Sequence, residues 1–213
     1  MNLKDYLDGL RGKRVAVLGM GISNEPLVKL LAAEGLEVTV RDKRELPPMD
    51  GVKTITGPDY LRDLTEDVVF RTPGIRPDQI PLKPGAVLTS EMEAFFQLCP
   101  CPVFAITGSD GKTTTTTILS ELLKAAGKTV WLGGNIGHPL LDQVDRISPQ
   151  DCAVVELSSF QLMSMSMSAS TAIVTNQADF FPFGHDEIEV FENGFCTVGF
   201  AKFLNSNKRK HRE

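Results

Sequence analysis

Residues 105–117 read AITGSDGKTTTTT, an apolar run followed by a glycine-lysine pair and five consecutive threonines. Threonine is β-branched and a mediocre helix former, so a helix that starts with such a run needs a reason beyond helix propensity. The spacing G-x-x-G-K-T, from Gly108 to Thr113, supplies one, although Ile106 stands where the full Walker pattern has glycine. The stretch therefore predicts a buried strand, a phosphate-binding turn and a helix, in that order.

A turn of this kind binds phosphate through inward-facing backbone N–H groups, and the helix that follows adds the positive end of its dipole. We expect Lys112 to bridge phosphate oxygens and the hydroxyl of Thr113 to hold Mg²⁺. We expect the later threonines to face solvent or to cap locally. The alternative is an ordinary strand-turn-helix with an exposed lysine, but helix initiation does not require G-K-T. The other residues expected to cradle the nucleotide phosphates are Gly108, Ser109, Asp110, Gly111 and Thr114.

Apolar strands and amphipathic helices alternate on both sides of this turn. The proline-rich CPCP at 99–102 interrupts the alternation, because proline cannot continue a helix, and it predicts a boundary or hinge. The pattern predicts an α/β protein of two units with mostly parallel sheets. The predicted strands are 13–19, 36–42, 52–57, 67–74, 103–108, 128–134, 152–159 and 171–176, and the predicted helices are 23–35 (capped by Ser23 and Gly35) and 113–127. Residues 86–98 are predicted to form a short strand and then a helix.

The composition and charge of the chain argue against several classes of protein. The chain has 213 residues, 42% of them hydrophobic, and a net charge of −5, which argues against nonspecific nucleic-acid binding. No apolar window is long enough to span a membrane, and the polar N-terminus does not resemble a secretory signal. The four cysteines lack the spacing of zinc or redox sites, so we expect reduced thiols in a cytoplasmic protein.

A second glycine loop, LGMGISN at 18–24, gives G-x-G-x-x-N and lacks the third glycine of the dinucleotide fingerprint. Asp42 ends the next predicted strand, where a ribose-binding acid would stand. The loop can take a pyrophosphate on the N–H groups around Ile22 and Ser23. A tight turn without a ligand explains the same residues equally well.

Further polar or glycine-rich segments follow other predicted strands. Thr72 and Gly74 in TPGI, and Asn135 in GGNIGHP, stand where open α/β sheets bind ligands. A proline turn and a flexible surface loop are equally good explanations of these two segments. Glu156 ends the apolar strand of VVELSSFQL, where a carboxylate across from the phosphate loop suits Mg²⁺. Its alternative, a buried acid with a structural partner, is less common because an unpaired buried charge is costly.

Taken together, these motifs resemble the Mur ligase family. The resemblance rests on VAVLGMGISN, TPGI, SEMEAFF, AITGSDGKTTT, GGNIGHPLL and VVELSSFQL, in that order, and it covers about residues 10–176. It implies a Rossmann-like domain at 1–97 that binds the UDP part of the substrate. It also implies a partial P-loop ATPase domain, with a mostly parallel sheet, at 98–213.

The resemblance implies an ATP- and Mg²⁺-dependent ligase of peptidoglycan precursor synthesis, expected to be monomeric. ATP would phosphorylate the alanyl carboxylate of UDP-N-acetylmuramoyl-L-alanine, and the amine of D-glutamate would displace the phosphate. Lys112, Glu156 and Lys202 would be the catalytic residues, and Thr113, Glu156 and His185 the metal ligands. The implied substrate contacts are Ile22 and Ser23 at the uridine nucleotide, Asp42, Lys43 and Arg44 at the uracil, Thr72, Pro73 and Gly74 at the diphosphate, Asn135 near the sugar, and Ser158 and Gln161 along the substrate channel.

The chain departs from the family pattern after residue 176. Phe180 and Phe181 stand where the family has an acidic-His-x-Asp segment, and His185 comes a few residues late. Lys202 is the candidate for the carbamylated lysine of the family. We therefore expect an incomplete chain of weak or no activity. The alternatives are a non-catalytic UDP-sugar-binding fragment and, from the first glycine loop, a dinucleotide-dependent oxidoreductase.

Overall fold

The computed structural model describes residues 1–136 and 139–175, together with the backbone of 189–192. The chain forms two compact units. The first comprises Met1–Leu98 with Leu141–Asp145, and the second comprises Cys99–Leu140 with the described part of the chain from Arg146 onward. The assignment of 1–97 and 98–213 as a UDP-binding and an ATPase domain stays a prediction.

The first unit is built on a five-stranded, fully parallel sheet in the order β3-β2-β1-β4-β5. The strand order reverses between β1 and β4, and in open α/β sheets this is where ligands bind at the carboxyl ends. Its elements are α1 (Leu3–Asp8), β1 (Val15–Leu18), α2 (Asn24–Ala33), β2 (Val38–Asp42), β3 (Val52–Thr56), β4 (Val68–Arg71), a 3₁₀ helix (Pro77–Gln79), β5 (Val87–Thr89) and α3 (Glu91–Leu98).

The central strands of this sheet are apolar because they are covered on both faces. All four residues of β1 are fully buried, which is the usual condition of a parallel strand between helical layers. Leu27, Val28 and Leu31 provide the buried face of α2 at helical spacing. This rigid centre fixes where the loops after β1 and β4 begin.

The first unit also includes a short segment from much later in the chain. Leu141 and Val144, in a 3₁₀ helix at Leu141–Arg146, are buried. The amide of Leu141 donates to Oε1 of the buried Glu91 carboxylate at 3.0 Å. A single boundary near residue 98 therefore does not separate the two units, because the first unit also contains Leu141–Asp145.

The second unit has a five-stranded sheet in the order β10-β9-β6-β8-β7, in which only the β10–β9 pair is antiparallel. Ile106, Val154 and Ile173, from its three central strands, form its apolar centre. The mostly parallel sheets predicted from the alternation are confirmed. Its elements are β6 (Val103–Gly108), α4 (Lys112–Ala125), β7 (Val130–Gly134), β8 (Cys152–Glu156), α5 (Ser159–Leu162), β9 (Thr171–Thr175) and β10 (Glu189–Glu192).

Several local expectations differ from the structure. Helices α1 and α5, strand β10 and the 3₁₀ helices are not predicted from the sequence. Ser23 occupies the N-cap position of α2 but makes no side-chain capping bond. Thr116, expected to face solvent or cap, is fully buried, and its hydroxyl donates to the carbonyl of Lys112 at 2.8 Å. Within the described residues, no helix is long and apolar enough to cross a membrane.

Candidate functional site

The turn between β6 and α4 is shaped by close contact with the end of β9. Gly108 has φ +135°, and a Cβ built on it would lie 2.1 Å from the carbonyl oxygen of Thr175, so only glycine fits. The helix that follows starts at Lys112 without a side-chain cap. Within the described residues, the backbone amides at 109–111 donate to no backbone carbonyl. The turn therefore offers uncommitted N–H groups at a helix N-terminus, which is the arrangement that binds anions.

The ammonium group of Lys112 lies over the same turn. Its Nζ donates to the carbonyls of Gly108 and Ser109, at 2.8 Å in each case. A positive charge is thus held within a few ångströms of the uncommitted amides. Lys112 would have to leave these two carbonyls to reach a bound phosphate.

Three side chains from different elements meet beside the turn. Glu156, at the end of β8, is 2% exposed. Its Oε2 accepts a hydrogen bond from the Thr113 hydroxyl at 2.8 Å, and its Oε1 accepts one from the Asn135 side-chain amide at 3.0 Å. The backbone N–H of Asn135 also donates to the backbone carbonyl of Glu156 at 2.8 Å, which fixes the loop after β7 to the end of β8.

The chemistry of these donors suits a magnesium ion. Carboxylate and hydroxyl oxygens are the ligands Mg²⁺ prefers, and it usually takes one or two protein ligands beside phosphate oxygens and water. Glu156 makes no ion pair with any described residue, so its buried charge lacks the compensation that such groups normally have. A divalent cation between Glu156 and Thr113 would supply that compensation. His185 and Lys202, the other predicted metal and catalytic residues, lie outside the described residues.

In the first unit, the loops after β1 and β4 pack tightly together. Gly19 has φ +81°, and a Cβ there would meet Cγ2 of Thr72 at 2.6 Å. The Asn24 side chain, in place of the third fingerprint glycine, donates to the carbonyls of Leu18 and Gly19 at 3.2 and 2.8 Å. Asn24 therefore stabilises the glycine loop from within, and Thr72 and the loop share the point where the strand order reverses.

Asp42 and Arg44 form a second anchor of this loop. The Asp42 carboxylate accepts from the amide of Met20 at 2.6 Å and from the amide of Arg44 at 2.8 Å. The Arg44 guanidinium reaches both Asp42, at 3.1 Å, and the Met20 carbonyl, at 2.8 Å. Burial alone would raise the pKa of Asp42, but the hydrogen bonds and charge of Arg44, with the Met20 amide, lower it to about 2. Asp42 is thus already engaged with its own loop rather than presented to a ribose.

The remaining predicted contacts fall into two groups. Ser158 and Gln161 bond to each other in a capping box at the start of α5, which gives both side chains a structural role. Ile22 is 82% exposed, a high value for a large apolar side chain. The other positions are partly or fully exposed: Thr114 lies in the first turn of α4, and Ser23, Lys43, Pro73, Gly74, Ser109, Asp110 and Gly111 lie outside the helices and strands.

Two features of the site regions escaped the sequence reasoning. Arg41, in a buried strand, pairs with Glu66 at 2.9 Å, and both side chains are about 5% exposed or less. Arg41 also donates to the carbonyls of Tyr60 and Arg62, which holds the loop before β4. An arginine within an apolar parallel strand was the available signal, because a buried cation requires a partner. The second missed feature is Thr175, which packs against the phosphate turn. Nothing in the sequence around Thr175 indicates this contact.

Comparison with known proteins identifies the family to which this chain is similar. Residues 106–194 match the model of the Mur ligase middle domain. A UDP-N-acetylmuramoylalanine--D-glutamate ligase of Ruminiclostridium cellulolyticum is 48% identical over 189 residues, 82% of this chain and 40% of its own length. The chain belongs to the Mur ligase family.

Within the family, the similar curated relatives carry that same name. The one from Clostridium botulinum is 43% identical over 220 residues, 97% of this chain and 48% of its own length. The chain thus spans less than half the length of these relatives. A solved structure of a pseudomurein peptide ligase type C from Methanothermus fervidus is 25% identical, covering 78% of this chain and 38% of its own, with a TM-score of 0.36.

Proposed function

We propose that this chain supplies the UDP-substrate-binding and phosphate-binding parts of an ATP-dependent ligase that joins D-glutamate to UDP-N-acetylmuramoyl-L-alanine. The observation that carries the proposal is the meeting of Thr113, Asn135 and Glu156 beside the glycine-lysine turn. The names of the relatives support the choice of substrates.

The second unit would bind the phosphates of ATP. Backbone N–H groups of the turn would donate hydrogen bonds to the phosphate oxygens, and Lys112 would leave the carbonyls of Gly108 and Ser109 to bind the same oxygens. Thr113 and Glu156 would hold Mg²⁺. The bound ion would neutralise phosphate charge, which reduces the repulsion between the nucleotide and the substrate carboxylate.

The first unit would bind the UDP part of the substrate. The loop of Gly19 and the loop of Thr72 meet at the carboxyl ends of β1 and β4, where open α/β sheets take phosphorylated ligands. The exposed side chain of Ile22 would pack on the nucleoside, and Arg44 would border the uracil. The backbone N–H groups of Ile22, Ser23 and Gly74 would take the diphosphate.

The reaction would proceed in two steps, phosphoryl transfer and then amide formation. The terminal phosphoryl group of ATP passes to the alanyl carboxylate, giving an acyl phosphate and ADP. The D-glutamate amine then attacks the acyl carbon, the C–O bond to phosphate breaks, and the amine proton leaves with solvent. Positioning and charge neutralisation are the main contributions a protein can make to such a step. Lys112 would stabilise the charge on the transferring phosphoryl oxygens.

Isothermal calorimetry on the whole chain tests the proposal with three ligands offered separately. UDP-N-acetylmuramoyl-L-alanine and Mg²⁺-ADP should each bind, and NADH should not. Lys112→Met should weaken Mg²⁺-ADP binding and leave the UDP-substrate affinity unchanged. Arg44→Ala should do the reverse.

Turnover is measured separately, as phosphate release that requires both D-glutamate and the UDP-substrate. Binding of the UDP-substrate without any binding of Mg²⁺-ADP would replace the ligase with a non-catalytic binding module. Measurable NADH binding would contradict the assignment of the first unit.

A further inference from the structure

The last residue of β9, Thr175, connects the two ends of the phosphate turn. Its side chain is buried, and Oγ1 lies 3.1 Å from the carbonyl oxygen of Thr107 and 2.5 Å from that of Asp110. Thr107 is in β6, whose position is fixed by pairing with β8 and β9. Asp110 is at the far side of the turn. The hydroxyl therefore ties the far side of the turn to the end of the sheet.

All four successive carbonyls of the turn have a side-chain partner. The hydroxyl of Thr175 shares its one hydrogen between the carbonyls of Thr107 and Asp110, and the ammonium group of Lys112 donates to those of Gly108 and Ser109. In a trans peptide the N–H points opposite to the C=O of the same plane. Holding the Asp110 carbonyl toward β9 thus directs the amide of Gly111 away from the sheet, where it has no backbone acceptor among the described residues.

Lys112 and Thr175 would respond differently to the binding of a phosphate. Lys112 has to release its carbonyls if its ammonium group moves to the ligand. Thr175 has no such alternative, because it is buried and a β-branched side chain is stiff about χ1. It also packs its backbone against Gly108 so closely that no side chain fits there. During binding, Thr175 would be the remaining side-chain restraint on the carbonyls of the turn among the described residues.

We propose that Thr175 is a positioning residue that holds the amide of Gly111 in the orientation that receives a phosphate. This role rests on the proposed nucleotide-binding function of the second unit. It assigns the end of β9 a part in the site, although its side chain contacts the turn rather than the ligand.

The test compares Thr175→Val, which has nearly the same shape without the hydroxyl, with Thr175→Ser, which keeps the hydroxyl. Thr116→Val is the matched control, because its buried hydroxyl also donates to a backbone carbonyl but lies in α4. Selective ¹⁵N-glycine labelling of the whole chain gives amide order parameters for Gly111 and, as a reference within β7, for Gly133.

In the ligand-free chain, Gly111 should have an order parameter near 0.85 in the unmodified protein, the serine variant and the Thr116→Val control. It should fall below about 0.6 in Thr175→Val, while Gly133 stays rigid. An equally rigid Gly111 in Thr175→Val would overturn the role, whatever the nucleotide does.

Mg²⁺-ADP affinity, measured on the same samples, should weaken about three- to tenfold in Thr175→Val, since one hydrogen bond contributes about 0.5–1.5 kcal/mol. It should stay within about twofold in the serine and Thr116→Val variants. A loosened Gly111 with unchanged affinity would show that the restraint does not position the site. A loosened Gly111 in a chain that binds no nucleotide would support the restraint and refute the proposed function.

Discussion

Two buried glutamates make a matched pair for testing the metal site. Glu66 is 3% exposed and bonds to Arg41, at 2.9 and 3.2 Å, whereas Glu156 is 2% exposed and accepts only from the neutral groups of Thr113 and Asn135 among the described residues. Glu66→Gln leaves a buried guanidinium without its counter-charge, so it should lower the free energy of unfolding by about 3 kcal/mol.

Glu156→Gln should behave differently in the metal-free protein. The amide oxygen keeps one of the two accepted hydrogen bonds, and the lost one costs about 1 kcal/mol. Removing a buried carboxylate that has no ionic partner in the described part of the chain offsets part of this cost. The free energy of unfolding should therefore change by less than about 1 kcal/mol. With Mg²⁺-ADP at ten times its dissociation constant, the unmodified chain should gain about 1.4 kcal/mol and Glu156→Gln should gain none.

The assay is urea unfolding of the whole chain with and without Mg²⁺-ADP. Trp131, the only tryptophan of the sequence, lies in β7 of the same unit as Glu156 and reports its unfolding by fluorescence. Hydrogen exchange of peptides covering β1 reports the first unit for Glu66→Gln. A loss near 3 kcal/mol in metal-free Glu156→Gln, or a full response of that variant to Mg²⁺-ADP, would show that the carboxylate is structural and refute the reasoning.

Three further results are expected. Lys112→Met should weaken Mg²⁺-ADP binding about 10- to 100-fold by calorimetry, since a bond to a charged group contributes about 1.5–3 kcal/mol; a change below about threefold would contradict the phosphate role. Because the folded-state pKa of Asp42 is lowered to about 2, Asp42→Asn should cost stability at neutral pH, and the difference from the unmodified chain should disappear as pH falls from about 4 to about 2. We expect about 1 kcal/mol in urea unfolding, because the Arg44 side chain is 68% exposed and water screens the pair; a pH-independent difference would contradict this account. Burial raises the pKa of Cys99 and raises that of Cys101 to about 12, so both thiols should alkylate slowly at pH 7 and faster as pH rises, followed by mass spectrometry; rapid labelling at pH 7 would contradict their burial.

The central strands could be predicted because they are apolar runs, and the helices α2, α3 and α4 because they repeat apolar residues at helical spacing. β1 is an uninterrupted apolar run, and α2 repeats leucine at helical spacing. The short helices have too few residues to show the repeat of apolar residues that identifies a helix in a sequence. α1 has six residues and α5 has four, and both are stabilised by capping boxes that involve only local side chains.

The site was partly predictable for a similar reason. Lys112, Thr113 and Glu156 each follow a motif that is local in sequence. The contacts of Thr175 are not local, because its partners lie 65 and 68 residues away and are backbone carbonyls, which any residue type provides. The pair of Arg41 and Glu66 joins a strand to a loop 25 residues on, and only the burial of the strand indicates that a partner is needed.

The segment Leu141–Asp145 bears on how this protein can be divided for study. A fragment that ends at Leu98 would remove Leu141 and Val144 from their packing and would leave the Glu91 carboxylate without the amide that now binds it. Truncation at the proline-rich boundary would thus expose apolar residues of the first unit and remove one hydrogen bond from the Glu91 carboxylate. Recombinant expression of the isolated first unit therefore needs this short peptide grafted onto its carboxyl terminus.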